Sequence, residues 1–86
     1  MTYPARVPMK IIGRAGVLAP EAVAALIFRH LRSTPLPEAW RQELQVSERP
    51  KGDWISYTFW IVLPDEHAER PLRESIQKLA GVVMQL

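Results

Sequence analysis

The stretch WISYTFWIVL, residues 54–63, alternates in the manner of a central β-strand. Every second residue belongs to one apolar face: Ile55, Tyr57, Phe59, Ile61 and Leu63. The opposite face mixes polarities and carries two tryptophans: Trp54, Ser56, Thr58, Trp60 and Val62. Because successive side chains of a strand point to opposite sides of a sheet, the apolar side faces a core. The other side is too apolar for open water, which predicts that a ligand or a partner partly covers it.

Length and composition indicate one globular domain over residues 1–86. The hydrophobic fraction of 48% argues against disorder. The chain has no cysteine, so disulfides, thiolate catalysis and Cys-ligated metals are excluded. No apolar run approaches the about 20 residues that cross a bilayer, and the amino end lacks the apolar core of a signal peptide. We therefore expect a cytoplasmic protein with no membrane contact.

The residues before the long strand predict a strand, a helix and an edge strand. Residues 7–12 alternate as a strand, which residues 13–16 then end. Pro20 suits the first turn of a helix whose buried positions share one face: Val23, Ile27 and Leu31. The proline-rich residues 33–37 end this helix.

Residues 40–48 predict the edge strand, because Trp40, Leu44 and Val46 alternate inward while Gln42 interrupts the inward set. A turn at residues 50–53 joins it to the long strand as a hairpin.

The residues after the long strand predict a second helix and a last strand. The helix opens at residues 64–66 and buries Leu72, Ile76 and Leu79. Pro71 requires either that the regular helix begins two or three residues before it or that the helix is kinked there. Gly81 ends the helix, and residues 82–86 form the last strand.

The element order β-α-β-β-α-β predicts an α+β ferredoxin-like sandwich. In this fold a four-stranded antiparallel sheet carries two helices on one face, and the first and third strands are central. The uncovered face of the sheet would then expose Ile12, Trp54, Trp60 and Val62. Solitary domains tend to avoid such an apolar patch, so we predict a homodimer with these four residues in its interface.

Three motifs, in order, resemble the small bacterial YbeD-like family, a domain of unknown function. They are Tyr3-Pro4 followed by Met9-Lys10-Ile11-Ile12-Gly13, Ser47 followed by Lys51-Gly52-Asp53-Trp54-Ile55-Ser56, and Val82-Val83-Met84-Gln85-Leu86. The resemblance runs from residue 3 to residue 86. It implies a ferredoxin-like fold akin to ACT-type regulatory domains, and it implies no enzymatic activity. The proline-rich residues 33–37 and Pro71 depart from the family pattern.

The side chains that enzymes of this architecture need are missing. Copper and zinc carriers of similar shape use a Cys-x-x-Cys loop. Acylphosphatase-like enzymes use a loop arginine with an asparagine, and although Arg14 lies in about the right loop the chain contains no asparagine. Nothing elsewhere completes a metal site with the acidic residues 65–69, which suit a helix start. We predict a non-enzymatic regulatory or interaction module with no catalytic residue, metal or cofactor.

A small anionic ligand or a protein would be the partner of such a module. In ACT-like domains the resemblance points to the loop after the first strand, here Gly13, Arg14 and Gly16. Glycines permit positive φ and close backbone approach, a nearby helix N-terminus favours an anion, and an arginine can clamp a carboxylate or phosphate. The alternative for this loop is a plain strand-to-helix turn with a solvated arginine.

Nucleic-acid binding through the basic first half and the outer sheet face is the alternative function. Residues 1–51 hold eight Lys or Arg against four Asp or Glu, and residues 52–86 hold three against five. RNA-recognition motifs share the element order, and Lys51-Gly52 begins like their third-strand signature. That signature places aromatics where this chain has Asp53 and Ile55, which disfavours it. Trp54 and Trp60 could still stack on bases.

Overall fold

The structure, a computed structural model, describes residues 2–32 and 36–86. Its elements in chain order are β1 (Ala5–Arg14), α1 (Pro20–Leu31), a short 3₁₀ helix (Glu38–Trp40), β2 (Gln45–Lys51), β3 (Trp54–Leu63), α2 (Glu69–Gln77) and β4 (Val82–Gln85). The strands form one antiparallel sheet in the order β2-β3-β1-β4. The predicted ferredoxin-like order, with the first and third strands central, is confirmed. Residues 33–35 of the predicted proline-rich link lie outside the described residues.

Both helices pack on one side of the sheet, where they meet the apolar face of β3. β1 contributes Met9 and Ile11 to this core, α1 contributes its predicted stripe, and α2 contributes Leu72 and Ile76. The side chain of His30 in α1 is 2.9 Å from the hydroxyl of Ser75 in α2, which links the two helices by a hydrogen bond. The predicted core face 55–63 is buried along its whole length.

β1 is longer than the sequence predicted, because it runs through Gly13 and Arg14 to pair them with Ile55 and Trp54. The predicted break at residue 13 is therefore wrong. Gly13 is needed here because β4 comes very close: the Arg14 amide donates to the Gly81 carbonyl at 3.0 Å. A methyl group on Gly13 would overlap that carbonyl and lie 2.7 Å from the Leu18 side chain.

β2 lies later in the chain than predicted. It is an edge strand that forms a hairpin with β3, as expected, but it spans residues 45–51, and Trp40 belongs to the 3₁₀ helix. The turn fixes this register: Gly52 has a positive φ of 60°, so that only Gly52 and Asp53 separate the paired Lys51 and Trp54. Val46 is on the helix side as predicted, yet it stays 47% exposed.

α2 begins at Glu69, two residues before Pro71, so the unkinked alternative is confirmed. The N–H groups in the first turn of a helix have no intrahelical acceptor, so a proline there removes no hydrogen bond. The predicted opening at residues 64–66 is wrong: these residues form a bend in which the Asp65 carboxylate accepts from the His67 amide at 2.8 Å. Leu79 lies beyond the helix and packs against the core, and Gly81, with φ of 86°, leads into β4.

We predict that Gly13→Ala lowers the free energy of unfolding by about 1–3 kcal/mol, because the added methyl group has backbone atoms in its way. The matched control is Gly52→Asn, since Gly52 has open space around it and asparagine tolerates a positive φ. The control should cost less than about 1 kcal/mol. Urea denaturation measures both, and equal losses in the two variants would contradict the close approach of β1 and β4.

Candidate ligand-binding face

The side of the sheet away from the helices, called here the outer face, is defined by the strand register. Residues directly opposite each other in a sheet point to the same side. The outward positions form cross-strand sets, each made of residues that are paired across the sheet: Lys51, Trp54 and Arg14; Arg49, Ser56, Ile12 and Met84; Ser47, Thr58 and Lys10; Gln45, Trp60 and Pro8; Val62 and Arg6. Five of these residues are basic, and within the described strands none of the outward positions is acidic.

None of the five basic residues makes an ion pair with any residue in the ranges 2–32 and 36–86, and we call four of them the basic cluster. The members of the basic cluster are Lys10, Arg14, Arg49 and Lys51. Arg6 differs, because it lies near Glu43, whose pKa is lowered by a hydrogen bond and charge from Arg41 and further by Arg6. These four residues were not predicted to lie together, although the alternation of β1 and the hairpin turn would have placed them on one side of the sheet.

The two tryptophans of the outer face remain accessible: Trp54 is 44% exposed and Trp60 is 42% exposed. The Arg14 guanidinium lies over the Trp54 ring, 5.4 Å from its centroid, in a cation–π contact. This contact fixes a positive charge beside a flat aromatic surface. The two tryptophans are six residues apart on one strand, which corresponds to about 20 Å.

Two adjoining depressions in the surface run along β3 between these tryptophans. The first, about 220 Å³, is lined by Lys10, Ile12, Arg49, Lys51, Trp54, Ile55 and Ser56. The second, about 250 Å³, is lined by Lys10, Ser47, Glu48, Arg49, Ser56 and Thr58. Because they share Lys10, Arg49 and Ser56, they form one trough, which leads from Trp54 toward Trp60.

Among residues 2–32 and 36–86, Glu48 is the one acidic residue that borders the trough, and its side chain belongs to the other side of the sheet. It is paired with the inward residue Tyr57. The pKa of Tyr57 is raised by burial and, to a lesser degree, by the charges of Glu48 and Glu21. The carboxylate of Glu48 therefore lies toward α1, and the trough keeps its positive character.

Three of the four predicted interface residues have the predicted surroundings: Trp54 and Trp60 are exposed and Ile12 is half-buried on the outer face. The predicted exposure of Val62 is wrong, since its side chain is 0% exposed. Gln42 explains the difference: its side-chain amide donates to the Val62 carbonyl at 2.8 Å and its Oε1 accepts from the Val62 amide at 2.7 Å. These two hydrogen bonds hold the segment before β2 against this end of the sheet, where it covers Val62.

The three predicted ligand-binding residues do not converge. Gly13 is buried within β1, Arg14 extends over Trp54, and Gly16 lies in an exposed turn with φ of 82°. The loop amides have partners within the protein: Ala15 donates to the Asp53 carbonyl at 2.9 Å, and Val17 and Leu18 donate to the Arg14 carbonyl at 3.1 and 3.0 Å. Arg14 is thus a residue of the outer face.

Within residues 2–32 and 36–86, no group of three or more acidic or histidine side chains is arranged to hold a metal ion. No helix in this described part of the chain is long and apolar enough to cross a membrane.

The comparison with known families covers the whole chain. Residues 1–86 match the family described as "Protein of unknown function (DUF493)". The chain belongs to the DUF493 family. No curated protein and no solved structure matches it. The description of DUF493 names no activity, so the function is inferred from the outer face.

For this DUF493 protein, we predict that Gln42→Ala lowers the free energy of unfolding by about 1–3 kcal/mol, because it leaves both backbone groups of Val62 without their partner. The matched control is Gln45→Ala, which removes an exposed glutamine from the neighbouring strand and should change stability by less than about 0.5 kcal/mol. Thermal and urea unfolding measure both variants. A Gln42→Ala protein as stable as the control would contradict the bridging role of this side chain.

Proposed function

We propose that this DUF493 protein is a non-enzymatic binding module that holds an anionic ligand on its outer face. One observation carries the proposal: the basic cluster surrounds an accessible tryptophan, and in the described part of the chain no carboxylate forms an ion pair with it. Charges of one sign gathered on a surface attract ligands of the opposite sign and raise their local concentration. We also propose a regulatory role like that of ACT-type domains, which the YbeD-like resemblance implies. The proposed location is the cytoplasm.

The non-enzymatic part of the proposal is supported by the position of the histidines. General acid–base chemistry needs a titratable group within hydrogen-bond distance of the reacting atoms. The chain has two histidines: His30 bonds Ser75 between the helices, and His67 lies in the exposed bend before α2. Beside the basic cluster, the Ser56 hydroxyl donates to the Arg49 carbonyl at 3.4 Å, and neither histidine is its hydrogen-bond partner. The cluster is therefore suited to binding an anion.

The test is a titration with inorganic polyphosphate, followed by tryptophan fluorescence and by calorimetry at low salt. We expect binding that the double variant Arg49→Gln/Lys51→Gln weakens by about tenfold or more, because two charge-assisted contacts are lost. The matched control, Arg29→Gln/Lys78→Gln, removes the same charge from exposed positions on the helix side. Equal weakening in both double variants would mean that only net charge matters, and no binding at low salt would refute the proposal.

A homodimer through the outer face is the second candidate, and it is supported by the exposure of Trp54, Trp60 and Met84. Burying apolar surface contributes about 25 cal/mol per Å². If this face is a dimer interface, sedimentation at micromolar concentration gives a mass above that of a monomer. Trp54→Ser/Trp60→Ser should then shift the protein toward the monomer. A strict monomer that the double variant leaves unchanged would refute the dimer.

A further inference from the structure

We infer that the anionic ligand is a single-stranded nucleic acid that lies along the trough, with its bases stacked on Trp54 and Trp60. The inference rests on the proposed function and adds the chemical class of the ligand. Three features of the outer face carry it: two rows of cations, two aromatic surfaces, of which Trp54 lies between those rows and Trp60 lies beyond them on the same strand, and a floor of hydroxyl groups.

The members of the basic cluster lie on both sides of β3. Lys10 and Arg14 belong to β1, and Arg49 and Lys51 belong to β2, while β3 runs between these strands. Neighbouring strands are about 4.8 Å apart, so the two rows border a narrow strip. A compact anion would contact one end of this strip. A polymer with a regularly repeated negative charge can contact both rows along its length, which favours a polyanion over a single phosphate or carboxylate.

The tryptophans separate nucleic acids from other polyanions. Polyphosphate and sulfated polysaccharides have no flat ring to place against an indole, whereas every nucleobase stacks on one. Both faces of a base are occupied in a duplex, so only a single strand can use these surfaces. Arg14 extends the surface at Trp54, because a base can also stack on a guanidinium plane. The about 20 Å between the two tryptophans corresponds to a strand of several nucleotides.

The hydroxyl groups of Ser56 and Thr58 lie outward between the tryptophans. A hydroxyl both donates and accepts, so these side chains can contact a sugar or a base edge without selecting one base. The signature of RNA-recognition motifs is not used, since Ile55 faces the core and is 7% exposed. The stacking residues are Trp54 and Trp60 instead, which lie on the opposite side of the same strand. The arrangement therefore predicts binding with little dependence on base sequence.

The experiment measures fluorescence anisotropy of a dye-labelled oligouridylate and an oligothymidylate of about 12 nucleotides with the full chain. Binding should quench tryptophan fluorescence. The logarithm of affinity should fall with the logarithm of salt concentration with a slope of about −3, since each of four phosphate contacts contributes about −0.7. Arg49→Gln should reduce the magnitude of that slope by about 0.7.

The tryptophan variants provide the decisive comparison. Trp54→Ala or Trp60→Ala should each weaken binding by about fivefold to a hundredfold, and Trp54→Phe should restore most of the loss because a phenyl ring still stacks. The matched control is Phe28→Ala, which removes an exposed aromatic ring from α1 on the other side of the sheet and should leave affinity unchanged. An amide NMR spectrum of each variant checks that the sheet is intact.

Four outcomes overturn the inference, and they differ in what they mean for the proposed function. Polyphosphate bound as tightly as the oligonucleotide, with no effect of the tryptophan variants, would leave an anion-binding module with another ligand. A duplex bound as well as the single strand would mean that stacking is not used. Self-association that buries both tryptophans and excludes the oligonucleotide would assign the face to a second copy. Failure to bind any polyanion would refute the inference and the proposed function together.

Discussion

The pairing of β1 with β3 is the constraint on which the rest of this structure depends. Ten consecutive residue pairs, from Ala5 opposite Leu63 to Arg14 opposite Trp54, assign every side chain of both strands to one side of the sheet. A slip of one residue would turn Phe59 toward water and bring the hydroxyl groups of Ser56 and Thr58 against the helices. The register is therefore enforced by the core, and the same register fixes the composition of the outer face.

The elements predicted correctly from the sequence are those in which the local pattern and the tertiary environment agree. β3 alternates without interruption against a core, and Pro20 and Pro71 each mark the first turn of a helix. β2 was placed too early because every residue of this edge strand is exposed, so burial imposes no alternation on it. Trp40 belongs to a 3₁₀ helix and not to a strand. The burial of Val62 depends on Gln42, twenty residues away, and no local pattern encodes it.

The candidate site was only partly accessible to sequence reasoning for the same reason. Its tryptophans follow from the alternation of β3 alone, and they were predicted. Its cations come from two strands about forty residues apart, and they become neighbours only through the exact registers of β1 and β2 against β3. In the sequence they appear as scattered charges in a chain of net charge +2. Gly13 was predicted to belong to a ligand-binding loop because the resemblance to ACT-like domains points to the residues after the first strand, whereas here it allows two strands to come close.

The charges of the outer face also limit what can cover it. A two-fold dimer places a surface against itself, so an axis through the basic cluster would bring its four members against the same four in the second copy. Two like charges about 4 Å apart repel by about 1 kcal/mol in water and by more near a protein surface.

Each half-exposed tryptophan has about 100 Å² left to bury, which contributes about 2–3 kcal/mol. Two copies lose about 4–15 kcal/mol of translational and rotational freedom when they associate. Burial of the tryptophans alone therefore does not favour a dimer through this face strongly. An anion lying between the cations removes the repulsion and uses the same aromatic surface. A covering anion therefore satisfies both the positive charges and the exposed tryptophans of this face.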